Sequence, residues 1–547
     1  MTRNEPRPLS APLALGLLTV GALLIRLPGF LSHPVVLTEG TTYVTIARNL
    51  LAGHGYVGIL GTVEPFAPPL YPLLIALVSA LSGDAVWSAR VISLLAGAAL
   101  APAAYLLAAR LFSRRSGLWA ALLVAGAPLL IEYSSLEWSE TLYALLLLLG
   151  LAWGWQATQP GHGRAATRAG LCLGLAYLTR VEGALALVVV VAWVILRRPA
   201  SPAPGARPRW RAAGRQIILL LGAFALTAAP YVLWLSLTLD RPTLESKSTL
   251  NFVISERMAQ GESYVDAAYG LDAEGRPRGV FLERTAQLLQ SAPPAAAPLW
   301  SVNRLRQLLE GLRSVQREMQ LYLLSFLLLV AIAAGIIRTL MAPPPPGMTS
   351  PRAATLYLAS FSAAALLTVA LVPLVYTRYL FPLLPLWCVW AGVGLEAVGE
   401  GPWLQTLSPT PRLRAAFTLI VAAVLLLSLP RASTVSSRRA VDVDQQRAGV
   451  WLAQQAPARS LRILSVHSQI PFYAGGIHVP MPNGTPAQVL RYADAAQVDV
   501  IITSPRKLGG RPGLQAWREG AALPAPWRAV YRDRAAAGGD LIIWEKP

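Results

Sequence analysis

Apolar runs of about twenty residues recur along most of the chain, and that is the length an α-helix needs to cross a hydrocarbon core. Clear runs begin near residues 11, 86, 117, 138, 216, 319, 354, 379 and 413. Only 14% of residues are charged, against about 25% in soluble domains. The pattern therefore predicts an α-helical polytopic membrane protein. The formal net charge of +19 would suit nucleic acid, but the arginines lie in short segments between apolar runs, where they set topology, and form no single basic face. No nucleic-acid partner is expected.

Two stretches are ambiguous by length, and arginine placement decides both. If residues 67 to 84 (APPLYPLLIALVSALSGD) crossed the membrane, the cluster Arg110, Arg114 and Arg115 would lie outside, and the later arginine-rich loops would follow. As an interfacial or re-entrant helix, the same segment leaves those clusters inside, which the positive-inside rule selects. Residues 169 to 196 would run ~42 Å as one helix, too long for one upright span. Two short spans turning at Thr179-Arg180-Val181-Glu182-Gly183 keep the basic stretch 197 to 215 inside. About eleven spans follow, amino end inside and carboxyl end outside. No Ala-x-Ala cleavage site follows the first run, so it reads as a retained anchor.

The expected organisation is a transmembrane domain over 1–430, with a first external loop at 32–85 and a larger one at 240–317. Residues 431–547 read as a small extracytoplasmic α/β domain, with RILSV, VDVIITS and DLIIWEK as strands and AQVLRYADAAQ as a helix. The proline-rich pieces SPAPGARPRW and MAPPPPGMTSP read as stiff cytoplasmic linkers. Cys172 and Cys388 sit inside apolar runs as small hydrophobes, and the five histidines are scattered, so no zinc motif is present. His467 and His478 read as structural.

The first external loop carries LTEGTTYVTIARNLLAGHGY. Tyr43, Ile46, Ala47, Leu50 and Leu51 recur at helical spacing, with Thr42, Thr45, Arg48 and Asn49 on the other side. Thr38 is expected as N-cap and Gly53 as terminator of a short interfacial helix. Glu39 falls in its first turn, where free backbone N–H groups and the helix dipole favour an ionised carboxylate. Such an acid at a membrane mouth is either a general base or a contribution to the helix start. Glu137, Glu140, Arg180, Glu182, Arg90 and Arg378 all fall at the same outer face. Arginines there suit phosphate, because the planar guanidinium donates two hydrogen bonds at once. The group points to an anionic lipid headgroup site.

Several of these segments, in this order, resemble the polytopic lipid-linked-sugar glycosyltransferases of the GT-C fold, family 39, akin to protein O-mannosyltransferases and aminoarabinose transferases. EGTTYVTIARNLLAGHGY is similar to the family's acidic first-loop motif. PPLYPLLIAL, ARVISLLAG, SETLY, GLAYLTRVEG and RYLFPLLP follow. The resemblance covers roughly residues 10 to 400. It implies a bacterial inner-membrane enzyme that moves a sugar from a polyprenyl-phosphate donor to a lipid, glycan or protein acceptor, with inversion. By position Glu39 matches the catalytic acid and Glu140 the second-loop acid. Arg180 and Arg378 match basic residues, and with Arg90 and Tyr43 they are the expected contacts to donor phosphate and lipid. Glu39-Gly40 stands where the family has Asp-Glu, Thr42 replaces a basic residue, and Ala67 replaces a lysine. No metal motif is seen; a divalent ion between Glu39 and Glu140 is the one cofactor the arrangement admits. The rival readings are a lipid-linked-sugar transporter and a catalytically silent binding protein.

Overall fold

The computed structural model describes residues 11–32, 35–197, 209–282, 302–342, 350–407, 410–430, 442–455, 460–534 and 539–547. Most of both proline-rich linkers and the expected domain boundary at 431 lie outside them. The membrane part opens with α1 (Ala11–Leu31), α2 (Thr38–Leu51), α3 (Leu70–Ser82), α4 (Ala85–Leu111), α5 (Arg114–Gly126), α6 (Pro128–Tyr133) and α7 (Glu140–Ala157). It continues through α8 (Gly163–Thr179), α9 (Gly183–Leu196) and α10 (Arg209–Thr238), then α11 (Lys247–Ala259), α12 (Tyr264–Tyr269) and α13 (Val302–Glu318) in the large loop. The last stretch is α14 (Phe326–Met341), α15 (Pro351–Ala370), α16 (Thr377–Leu380), α17 (Leu383–Glu400), α18 (Pro402–Leu407) and α19 (Pro411–Ser428).

Apolar helices stand at the positions expected for spans, with one exception. Among the described residues, six helices are long and apolar enough to cross a membrane by themselves. By contrast α5, α8 and α9 have 13, 17 and 14 residues. The run expected from residue 319 is corrected: Met319–Leu323 is a π-helical turn, and the apolar helix begins only at Phe326 after a bend of 106°. α8 and α9 break between Thr179 and Gly183. α3, with 13 residues, reaches ~20 Å, short of the hydrocarbon thickness.

Local chemistry explains the breaks. Asp84 caps α4 by accepting from the Val86 and Trp87 N–H groups at 2.8 and 3.1 Å. Between α5 and α6, Pro128 has no N–H to offer the Val124 carbonyl. Arg26, fully buried on α1, supplies that donor: it bonds the carbonyls of Val124 (3.2 Å) and Ala125 (3.0 Å), and Ser134 Oγ (3.0 Å). Helices α14 and α17 cross at a backbone contact. A Cβ on Gly335 would lie 2.0 Å from the Trp390 carbonyl oxygen, and one on Gly394 2.2 Å from that of Ala331, so only glycine fits at either place.

The bundle has two polar ends. Arg115 and Arg338 both donate to Glu400, at 2.7 and 2.8 Å, at the carboxyl end of α17. Glu39, Glu140, Arg180 and Arg378 gather at the other.

The α/β domain begins with α20 (Val443–Gln455), α21 (Gln469–Ala474) and α22 (Pro486–Ala495) around a sheet of β1 (Arg462–Ser465), β2 (Ile477–Pro480), β3 (Val500–Thr503), β4 (Arg528–Asp533) and β5 (Leu541–Glu545). The strand order is β2-β1-β3-β5-β4. β1 runs parallel to β2 and β3, whereas β5 is antiparallel to β3 and β4. The central strand β3 is buried along its length, as expected where helices cover both faces. β2 and β4, which the pattern missed, are the edges.

Candidate active site

The α/β domain holds the acidic helix α2 in place. The Val36 N–H donates to the Tyr473 hydroxyl at 2.8 Å, and Thr41 Oγ1 meets Ser468 Oγ at 2.7 Å. Phe472 is buried in one apolar cluster with Val36, Val44, Tyr71 and Ile75, burial that contributes about 1.5–3 kcal/mol. The same domain grips the large loop, where the Asn483 N–H donates to the Tyr269 carbonyl at 2.7 Å.

α2 starts at Thr38, with Leu37 in the cap position and no side-chain cap. Thr38 is therefore the first helical residue and not the N-cap. The Thr38 carbonyl accepts from Thr41 Oγ1 at 2.6 Å instead. At the other end Gly53, with φ +79°, follows the last turn. Glu39 lies in the first turn and keeps 39% of its side chain accessible. Arg378 on α16 donates to it. Burial raises the Glu39 carboxyl, but the Arg378 charge and hydrogen bonds outweigh it and hold the group below its ordinary value.

Arg378 stands between Tyr376 and Tyr379, 5.3 and 5.2 Å from their ring centroids. Its Nε is buried without a hydrogen-bond partner among the described residues. Arg180, at the break between α8 and α9, donates to Glu140 at 2.8 Å and Glu182 at 3.1 Å. Its guanidinium lies 5.9 Å from the Tyr379 ring, so both arginines border that ring. Tyr43 OH meets Ser139 Oγ at 3.2 Å, and its ring meets Tyr71 edge-on at 5.2 Å. Arg90 pairs with Glu137, which is wholly buried.

That pairing bears on Gly40. A Cβ there would lie 2.9 Å from the Glu137 Cβ and 3.3 Å from Glu137 Oε2. Glu137 thus fills the space a side chain at position 40 would need, and a glycine after Glu39 is what α2 requires to pack against it.

Three further residues belong to the site and escaped the sequence reading. Lys247 opens α11. Burial lowers its ammonium, with the Arg180 and Arg378 charges adding to the effect and Tyr379 and Glu182 opposing it. It is one of only three lysines in the chain, the one signal that might have flagged it. Glu64, 9% exposed, accepts from the Phe66 N–H at 3.2 Å and is pushed up to about 7 by burial, against the nearby Lys247 charge. His467, expected as an isolated structural residue, lies within electrostatic reach of Glu39; burial, then the Lys507 charge, lower it to about 3. His478 is structural as expected, bonding the Ser465 carbonyl at 3.0 Å.

Among the described residues no group of three His, Cys, Asp or Glu side chains converges as a metal-binding set. Glu39 and Glu140 each face an arginine, so the donor set does not fit a divalent ion and no step is routed through one.

Residues 67–234 match the family of dolichyl-phosphate-mannose-protein mannosyltransferases. The whole structure resembles ArnT from Cupriavidus metallidurans bound to undecaprenyl phosphate, with TM-score 0.55, 16% identity and 98% of both chains covered. It also resembles the oligosaccharyltransferase of Archaeoglobus fulgidus tethered with an acceptor peptide, with TM-score 0.55, 12% identity, 98% of this chain and 74% of that one. Among curated protein sequences none matches. The chain is a multi-pass membrane protein of the GT-C fold, related over residues 67–234 to the dolichyl-phosphate-mannose-protein mannosyltransferases.

Proposed function

We propose that this chain is an inverting glycosyltransferase that moves a sugar from a polyprenyl-phosphate donor to an acceptor hydroxyl at the outer face of a bacterial inner membrane. The observation that carries the reading is the Glu39–Arg378 pair: an accessible carboxylate at the membrane mouth, bound to an arginine that has a donor to spare. Similarity to a fold whose solved examples hold undecaprenyl phosphate or dolichol-phosphate supports it.

In this mechanism Arg378, Arg180 and Lys247 bind the donor phosphate. Moving the Arg378 guanidinium onto the phosphate loosens its hold on Glu39, which regains basicity as the donor arrives. Glu39 takes the acceptor hydroxyl proton while the oxygen attacks the anomeric carbon. The bond from that carbon to the phosphate oxygen breaks, and the prenyl phosphate leaves with the electron pair, its charge stabilised by the three cations. The α/β domain and the large loop border this mouth, so the acceptor enters between them, past His467. As a neutral imidazole, His467 offers a hydrogen bond without competing for the phosphate.

The test is release of polyprenyl phosphate by purified wild-type protein and Glu39→Gln. Loss of roughly 10²–10⁴-fold in rate with donor binding kept is expected. Equal release by both would move the base elsewhere. The replacement of the expected acidic pair by Glu39-Gly40 favours a silent binding protein as the second reading. Donor binding without release from any acceptor panel would establish it.

A further inference from the structure

Helix α13 divides into three stripes at helical spacing. Positions 304, 308, 311 and 315 face the protein: Gly311 and Val315 are buried, and a Cβ on Gly311 would meet the Ala370 carbonyl oxygen at 2.0 Å. Arg304 on this face pairs with buried Glu256. Positions 302, 305, 309 and 312 carry Val302, Leu305, Leu309 and Leu312, exposed by 74, 59, 46 and 44%. Positions 306, 310, 313 and 317 carry Arg306, Glu310, Arg313 and Arg317, all exposed. A soluble surface helix would not leave four large apolar side chains in one exposed row beside a basic one.

The next segment explains that row. The chain turns by 106° into α14, whose Phe326, Leu327, Leu329 and Val330 are exposed by 78, 40, 44 and 50%. The bend sets α13 nearly perpendicular to the apolar helix α14, so where α14 enters the membrane α13 lies close to its plane, and the apolar row of α13 continues the exposed apolar surface of α14. An apolar row flanked by arginines is the pattern of a helix seated at the headgroup boundary.

We propose that α13 is a binding surface for acidic phospholipids: its leucine row enters the acyl–headgroup boundary, and Arg306, Arg313 and Arg317 hold anionic headgroups. The helix is fastened to the active site, because its last residue, Glu318, accepts a hydrogen bond from Thr377, the neighbour of Arg378. Acidic lipid at α13 therefore steadies the segment that presents Arg378.

The test is hydrogen exchange across residues 302–318 of the full chain in nanodiscs of phosphatidylcholine alone or mixed with phosphatidylglycerol. Exchange should slow by about tenfold or more in the acidic discs, given roughly fivefold for each arginine at an anionic surface. The slowing should vanish in the triple variant R306Q/R313Q/R317Q and persist in R306K/R313K/R317K, which keeps the charge. Equal exchange in the two lipids overturns the proposal, as does phosphatidylglycerol-dependent slowing that survives the glutamine variant. Protection in both lipids together with a dimeric mass would instead assign the row to a second copy, and would also overturn it. None of these readouts depends on transferase activity.

Discussion

Arg378 donates to Glu39 across 339 residues of sequence, joining the first external loop to the segment before α17. The pair holds the carboxylate ionised and weakly basic. Removing the arginine should have two separable effects. Arg378→Ala should lower kcat/KM for the donor by roughly 10²–10³-fold, the usual cost of losing a transition-state charge partner. It should also move the acid limb of the kcat/KM profile upward. Arg378 depresses the Glu39 value, so without it the carboxylate protonates at higher pH and activity is lost sooner on acidification. A pH profile of both proteins decides this. An unmoved limb would mean that Glu39 is not the titrating base.

Lys247 opens a helix of the large loop, yet its electrostatic neighbours include Arg180, Glu182, Arg378 and Tyr379. On the proposed mechanism it helps to bind the donor phosphate. Lys247→Met should lower kcat/KM for the donor by roughly tenfold or more, since a hydrogen bond to a charged group contributes about 1.5–3 kcal/mol. Part of the loss should fall in kcat, because the charge on the leaving phosphate grows in the transition state. Titration calorimetry with polyprenyl phosphate measures the same loss without turnover. If affinity is unchanged and only thermal stability falls, Lys247 is a structural counter-ion of Glu182 and Glu64.

Glu64 gives the outer loop a pH dependence of definite sign. Burial lifts its carboxyl from 4.5 to about 7 in the folded protein, while the unfolded chain keeps the ordinary value. The folded state therefore binds the proton more tightly. Its contribution is full below about pH 4.5, declines as pH rises and is lost above about 7. The difference amounts to at most about 3 kcal/mol. Thermal unfolding in detergent should show a falling midpoint between pH 5 and 8, and Glu64→Gln should flatten that slope. A wild-type midpoint that rises over the same interval would refute it.

What could be read from sequence divides along physical lines. The break at Arg180 was legible because a charge inside an apolar run is costly and must mark either a turn or a site. Glu39 and Arg378 were legible for the same reason, though not their pairing, which depends on how distant helices pack. Arg90 shows the limit: sequence placed it at a span end but could not show that it would pair with buried Glu137. Lys247 was hidden because one cation in a long polar loop is unremarkable until the loop folds over the membrane mouth. The edge strands β2 and β4 were missed because one is only partly buried and ends in proline, while the other is mostly exposed and lacks an apolar face. Buried β1 and β3 announced themselves.

Arg26, a charge inside the first apolar run, carries the last prediction. It supplies hydrogen bonds that the α5–α6 break has removed: the Val124 carbonyl would normally accept from residue 128, which is proline. Replacing Arg26 by methionine keeps much of the volume but strands two buried carbonyls, at about 1–3 kcal/mol each. Arg26→Met should therefore lower the unfolding midpoint in detergent clearly, while the Glu39-dependent rate per folded molecule changes little, because Arg26 lies outside the mouth. The mechanism makes a sharper demand on the double variant. Pro128→Ala returns an N–H that can reach the Val124 carbonyl once Ala127, extended here with ψ 121°, turns helical. Arg26 occupies that carbonyl in the wild type, so adding Pro128→Ala to Arg26→Met should recover part of the lost stability, whereas in the wild type it should gain almost nothing. If Pro128→Ala has the same effect in both backgrounds, Arg26 is not standing in for the missing backbone donor, and its burial needs another explanation.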